Sequence, residues 1–198
     1  MKKIVKFSLM LAAAALTSVE AHAGNTDFSL DLKKEEGKTV SFTLRETKKV
    51  DLSIYDTSDN LIYQENVTSD DNINRTYDLT AFPDGVYYLQ AESDLKIAKY
   101  KIEVIGKVAK LSAVAISEVY KPVLINKNGI IKLNILNLNK ALVTVKIYNL
   151  NDIELYNETL TAELNVGKIF DLSNVQGNKC TFMITYNGTT FVETVDTK

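Results

Sequence analysis

The sequence predicts an all-β protein built as two tandem antiparallel β-sandwiches behind a cleaved export signal, and three observations carry that expectation. Apolar and polar residues alternate with a period of two, turn-forming clusters recur at short intervals, and one stretch of the chain repeats at a spacing of 93 residues. No segment beyond the leader sustains a 3.6-residue apolar period.

The first 23 of the 198 residues read as a Sec-type signal. Lys2, Lys3 and Lys6 precede the apolar run LMLAAAAL, and the small-residue site Ala21-His22-Ala23 follows. The apolar stretch from Phe7 to Val19 is too short to span a bilayer, so no membrane span is expected. Gly24-Asn25-Thr26 follows the site, with no cysteine to accept a lipid anchor. Removing three lysines and one glutamate with the leader takes the net charge from −2 to −4, a balance that does not suggest a nucleic-acid partner. The single histidine, His22, leaves with the leader, and with it any Ser-His or Cys-His pair and any His-ligated metal.

The first unit is expected over residues 24–106. In KVDLSIYD, Val50, Leu52 and Ile54 alternate with Asp51 and Ser53, which places the aliphatics on one sheet face. AKYKIEV repeats the pattern with Ala98, Tyr100, Ile102 and Val104. Glu36-Gly37, Ser58-Asp59-Asn60, Asp70-Asp71-Asn72 and Pro83-Asp84-Gly85 punctuate the strands, and Gly85 is expected to supply a positive φ. The linker is placed at Gly106-Lys107-Val108-Ala109-Lys110.

The second unit is expected over residues 107–198. Ile131, Leu133 and Ile135 alternate with Lys132 and Asn134, and turns are marked at Asn126 to Gly129, Gly177-Asn178 and Asn187-Gly188. Shifting the chain by 93 residues lays DLSIYDTSDNLIYQENVTSDDN, from Asp51, on TVKIYNLNDIELYNETLTAELN, from Thr144. Between residues 52 and 91 and their partners there are nine identities, among them Tyr55/Tyr148, Asp59/Asp152, Tyr63/Tyr156, Glu65/Glu158 and Asp78/Asp171. About seven short strands in roughly 80 residues is the size of an immunoglobulin-like sandwich.

The residues also carry a family resemblance. VDLSIYDTSDNLIYQENV followed by YDLTAFPDGVYYLQAESDLKIAKYKIEV resembles the C-terminal sorting domain of type IX (Por) secretion substrates. Ile54-Tyr55-Asp56, Asp78-Leu79, Phe82, Gly85-Val86-Tyr87 and Ile102-Glu103-Val104 match its pattern in order. The second unit keeps Ile147-Tyr148-Asn149 and Asp171-Leu172-Ser173 but has Asn178-Lys179-Cys180 in place of Gly-Val-Tyr. The resemblance implies an antiparallel sandwich in a secreted Gram-negative protein.

No catalytic, cofactor-binding or metal-ligating residue is assigned, and no cofactor is expected. Asp56 to Asn60 and Asp70 to Asn72 resemble fragments of calcium loops without the alternating ligands and distal Glu that define one, so they read as solvated turns. Cys180 aligns with Tyr87, whose parity with Leu89 and Ala91 faces the core, and reads as a buried packing thiol. The ten tyrosines fit strand packing, with carbohydrate or protein binding as the alternative. Asn66-Val67-Thr68, Asn74-Arg75-Thr76, Asn157-Glu158-Thr159 and Asn187-Gly188-Thr189 match the glycosylation pattern but read as silent behind a bacterial signal. The expected function is a secreted, monomeric, non-enzymatic module in the periplasm, at the cell surface or outside the cell, with a structural, adhesive or protein-binding role and a protein or glycan partner. A type IX substrate or accessory factor is the second reading, and an enzyme with paired carboxylates, such as a glycosidase, is the third.

Overall fold

The computed structural model describes residues 28–175 and 177–197, so the leader, residues 1–23 with His22, lies outside the described residues. Every regular element described is a β-strand, and every pairing is antiparallel. In the N-terminal half, β1 (Ser29–Glu36), β2 (Thr39–Arg45) and β5 (Ile73–Asp78) form one sheet in the order β1-β2-β5. The facing sheet runs β4 (Leu61–Thr68), β3 (Lys49–Tyr55), β6 (Gly85–Glu92), β7 (Lys96–Ile105) and β8 (Val108–Leu111), and β9 (Ser117–Tyr120) also pairs with β7. In the C-terminal half, β10 (Val123–Lys127), β11 (Ile130–Leu136) and β14 (Asn165–Asp171) form one sheet. The other runs β13 (Glu154–Leu160), β12 (Val143–Asn149), β15 (Lys179–Tyr186) and β16 (Thr189–Asp196). Ignoring β8 and β9, the strand order of the two halves is the same, and it is the two-sheet Greek-key arrangement of an immunoglobulin-like sandwich.

The period-two pattern explains the cores. Along β7, Lys96, Ala98, Tyr100, Ile102 and Val104 are buried while the residues between them are half-exposed. The same alternation on β6 places Tyr87, Leu89 and Ala91 inside. The apolar ones, with Val40, Phe42, Leu44, Leu52 and Ile54, make one core, and Ile131, Leu133, Val145, Ile147, Phe182 and Ile184 belong to a second. Cys180 is buried in the second core, and burial pushes its thiol pKa up, which holds it in the unreactive neutral form.

Two features differ from the sequence expectation. Gly85 does not take a positive φ; it opens β6 in extended pairing with Val104, and a Cβ there would meet the Tyr87 ring at an ordinary 3.8 Å. The chain has already reversed upstream, where Phe82 N–H donates to Leu79 C=O at 2.9 Å. Positive φ falls instead at Gly37, Gly106, Gly129, Gly177 and Gly188. The first sheet also continues past residue 106. β8 and β9 run antiparallel along β7, with Ile102 opposite Leu111 and Ile97 opposite Val119. On its other side β8 closes the sandwich against β1, as Ala109 N–H donates to Gly37 C=O and Leu111 N–H to the Glu35 carboxylate, both at 2.8 Å.

Candidate functional site

Of the loops read as calcium-loop fragments, Asp56 to Asn60 is a self-satisfied turn. Asp56 Oδ1 accepts N–H bonds from Ser58 at 2.8 Å and Asn60 at 2.9 Å, while Oδ2 accepts from the Asn60 side-chain amide at 2.9 Å. These bonds hold the exposed Asp56 carboxyl below its ordinary pKa. The turn recurs 93 residues later: Asn149 Oδ1 accepts from Asn151 at 2.9 Å and Ile153 at 3.0 Å, and Asp59 and Asp152 take φ of 58° and 57°. Asp71 N–H bonds Ser69 Oγ, and among the described residues no three His, Cys, Asp or Glu side chains gather for a metal. Asp84 accepts from Gly106 N–H at 2.8 Å and so pins the β7–β8 turn. Of the glycosylation-pattern asparagines, Asn66 bonds Asp51, Asn74 accepts from the Thr43 hydroxyl at 2.6 Å, Asn157 donates to Glu154 and Asn187 occupies a positive-φ turn position.

A second recurring arrangement sits where the edge strands of the two sheets approach. In the first half, Arg75 Nε on β5 lies 3.0 Å from both oxygens of Glu65 on β4, and the Tyr77 hydroxyl donates to Glu65 at 2.8 Å. The Tyr63 and Tyr77 rings meet edge-on at 5.6 Å and Phe42 meets Tyr77 at 5.5 Å. Burial, first, and the Glu65 hydrogen bond both push the Tyr77 phenol upward, so it stays a donor. Beside it Ile62, Tyr63, Tyr77 and Phe82 line a hollow of about 310 Å³. In the second half, Lys168 on β14 donates to Glu158 on β13 at 2.6 Å, and the Tyr156 hydroxyl donates to the same oxygen. Lys168 stands 5.0 Å from the Tyr156 ring centroid, and Tyr156 meets Phe170 edge-on at 5.1 Å. The bond to Lys168, first, and that to Tyr156 lower the Glu158 pKa, and the Glu158 bond raises that of Lys168. Glu158 and Lys168 border a polar hollow of about 670 Å³ with Lys132, Glu163 and Asn165.

The physical effect of both clusters is to bolt one sheet edge to the other. Each carboxylate is bonded to a cation and a phenol. What remains open to solvent is a wall of aromatic and aliphatic side chains, with Leu61, Ile62 and Tyr63 on β4 all more than two-fifths exposed. The sequence displays Tyr63/Tyr156 and Glu65/Glu158 as identities. It hides their partners, because Arg75 and Lys168 share only a charge sign at the same 93-residue spacing.

Part of the first half, from the β1–β2 turn to the end of β7, is similar to a known family. Residues 36–105 match the family model of the secretion system C-terminal sorting domain. The sorting-domain match thus covers the first sandwich from Glu36 onward and ends before β8. No curated protein matches the chain. Among solved structures, the BSP domain of a biofilm associated protein is similar over 84% of this chain and 29% of that chain, at 14% identity and a TM-score of 0.30. A native alpha-2-macroglobulin from Escherichia coli spanning domains NIE-MG1 is similar over 88% of this chain and 99% of that chain, at 12% identity and a TM-score of 0.28. Among the described residues no helix is long and apolar enough to cross a membrane.

Proposed function

We propose that the protein is an exported, non-enzymatic tandem β-sandwich with a structural, adhesive or protein-binding role in the periplasm or at the cell surface. The observation that carries this reading is the sorting-domain match over residues 36–105, joined to a second half of the same strand order in which the edge cluster recurs. In this proposal the units are copies of one ancestral sandwich, and the boundary between them lies at Lys121-Pro122, after β9. The binding surfaces are the exposed sheet edges and their aromatic walls, which suit a protein or glycan partner.

The second reading, a type IX substrate or accessory factor, is favoured by that same family match. Localisation separates the two. The full chain with its leader is expressed in a host with a type IX system and in the same host lacking it, and fractions are probed by immunoblot. The binding-module reading expects the same compartment in both hosts, because Asn178-Lys179-Cys180 replaces the Gly-Val-Tyr motif in the second unit. Surface delivery that disappears with the type IX system replaces it with the sorting reading.

A further inference from the structure

The two sandwiches differ in what lies against their last strand. In the first, the outer edge of β7 is covered along its length by β8 and β9, and Ala98, Tyr100 and Ile102 on β7 are at most 3% exposed. β16 is the counterpart of β7 at the 93-residue spacing, and its pairing with β15 keeps the same register: Cys180 faces Val195 as Tyr87 faces Ile102. Among the described residues no strand covers its outer side. Phe191, Glu193 and Val195, the counterparts of Ala98, Tyr100 and Ile102, are accordingly only half-buried.

The hydrogen-bonding groups of that edge follow from the hairpin. Asn187 and Gly188 both take positive φ in a two-residue β15–β16 turn, so Tyr186 and Thr189 form the first bonded pair. Bonded pairs then alternate, which turns the N–H and C=O of Thr190, Val192 and Thr194 outward. The Asp196 C=O is already taken by the Asn126 side-chain amide at 2.6 Å. Beside the start of β16 a hollow of about 300 Å³ is also lined by Ile97, Glu92 and Lys121.

We propose that the outer edge of β16 takes an extended peptide segment with aliphatic residues at alternate positions, added as an antiparallel strand in the way β8 and β9 add to β7. The chain itself supplies the precedent for the occupant's chemistry: Ala109 and Leu111 of the covering strand β8 are both buried in the first core. A strand on β16 bonds Thr190, Val192 and Thr194 and completes the burial of Phe191 and Val195. The inference rests on the reading of the protein as a binding module and names one of its surfaces.

The test uses the full chain without its leader and a synthetic peptide of residues 108–120. Saturating peptide is expected to slow amide exchange at Thr190, Val192 and Thr194 by about tenfold or more, with little change at the inward amides of Phe191 and Glu193. Val192→Pro, which removes an outward N–H and spares the β15 ladder, should abolish that protection. A peptide N-methylated at alternate residues should also fail, and this control does not depend on any variant folding. Absence of protection by the unmodified peptide overturns the proposal, as does protection at sites away from β16. Concentration-dependent dimerisation that protects the same three amides without peptide also overturns it and makes a second copy the occupant. Peptide failure with unchanged localisation removes only this inference, whereas type IX-dependent delivery with intact peptide binding removes only the broader reading.

Discussion

At the residue scale the 93-residue repeat supplies internal controls. Asp56 and Asn149 build the same turn with a charged and a neutral side chain. The Asp56 carboxyl is held below its ordinary pKa, so its contribution to stability is present above the unfolded-state value and is lost as pH falls through the lower native value. Asp56→Asn should therefore melt somewhat below wild type at pH 7, with the gap closing as pH drops below about 4. Parallel melting curves from pH 7 to pH 2.5 read this out, and a gap that stays constant rules out the ionic contribution. Glycine gives a second contrast. Gly129 has a φ of 81°, and a Cβ there would stand 2.6 Å from Thr197 C=O, so Gly129→Ala should cost about 2 kcal/mol or more. Gly85→Ala should stay within about 1 kcal/mol, since Gly85 is extended and its Cβ has room. Denaturant midpoints for the two variants decide it, and equal losses contradict the assignment. Both glycines look alike in sequence, each beside a polar turn residue. Their difference comes from what packs opposite them, and a turn signal does not encode that.

At the element scale, legibility followed the alternation of side chains. β7 and β11 could be read because each alternates a buried face with a more exposed one. The segment VAKLSAVAISEVY was read as linker and second unit because local composition does not say which sheet a short apolar strand joins. Its fixing chemistry is a long-range pair. Lys96 Nζ, with its side chain 5% exposed, donates to Glu118 on β9 at 2.8 Å and stands 4.6 Å from the Phe28 ring centroid. Removing Glu118 leaves that ammonium without its counter-charge, so Glu118→Ala should cost roughly 1–3 kcal/mol, discounted for the partial exposure of the carboxylate. Lys96→Met keeps the apolar stem and abolishes the charge, and its cost should be under about 1 kcal/mol. Chemical denaturation of the two variants checks the order, and a Lys96→Met loss exceeding that of Glu118→Ala reverses the argument. The edge clusters follow the same logic, since Glu65 and Glu158 are visible as a repeated pair whereas their cations become partners only once β5 and β14 are placed in the facing sheet.

At the scale of the whole molecule the decisive element is β9, because it belongs to both halves. Its backbone pairs with β7 of the first sandwich, while the Val119 side chain is buried in the core of the second. Around it, the Tyr186 hydroxyl donates to Tyr120 C=O, Lys121 N–H donates to Leu95 C=O at 2.7 Å, and Lys121 Nζ lies 2.8 Å from Glu92. Pro122 then fixes its own φ and restricts Lys121 to extended backbone. Swinging one half against the other breaks all of these at once, so the halves should unfold as a coupled pair. Calorimetry is expected to show one transition with matching calorimetric and van't Hoff enthalpies. Val119→Ala removes roughly 2 kcal/mol of packing from the second core. Because β9 ties that core to β7, the whole transition should move down together, with no first-half transition left in place. Combining it with Tyr186→Phe, which deletes the donor to Tyr120, should split the transition, the second half melting first. Two resolved transitions in the wild-type protein would show that the halves fold independently and that β9 is a tether, not a shared strand.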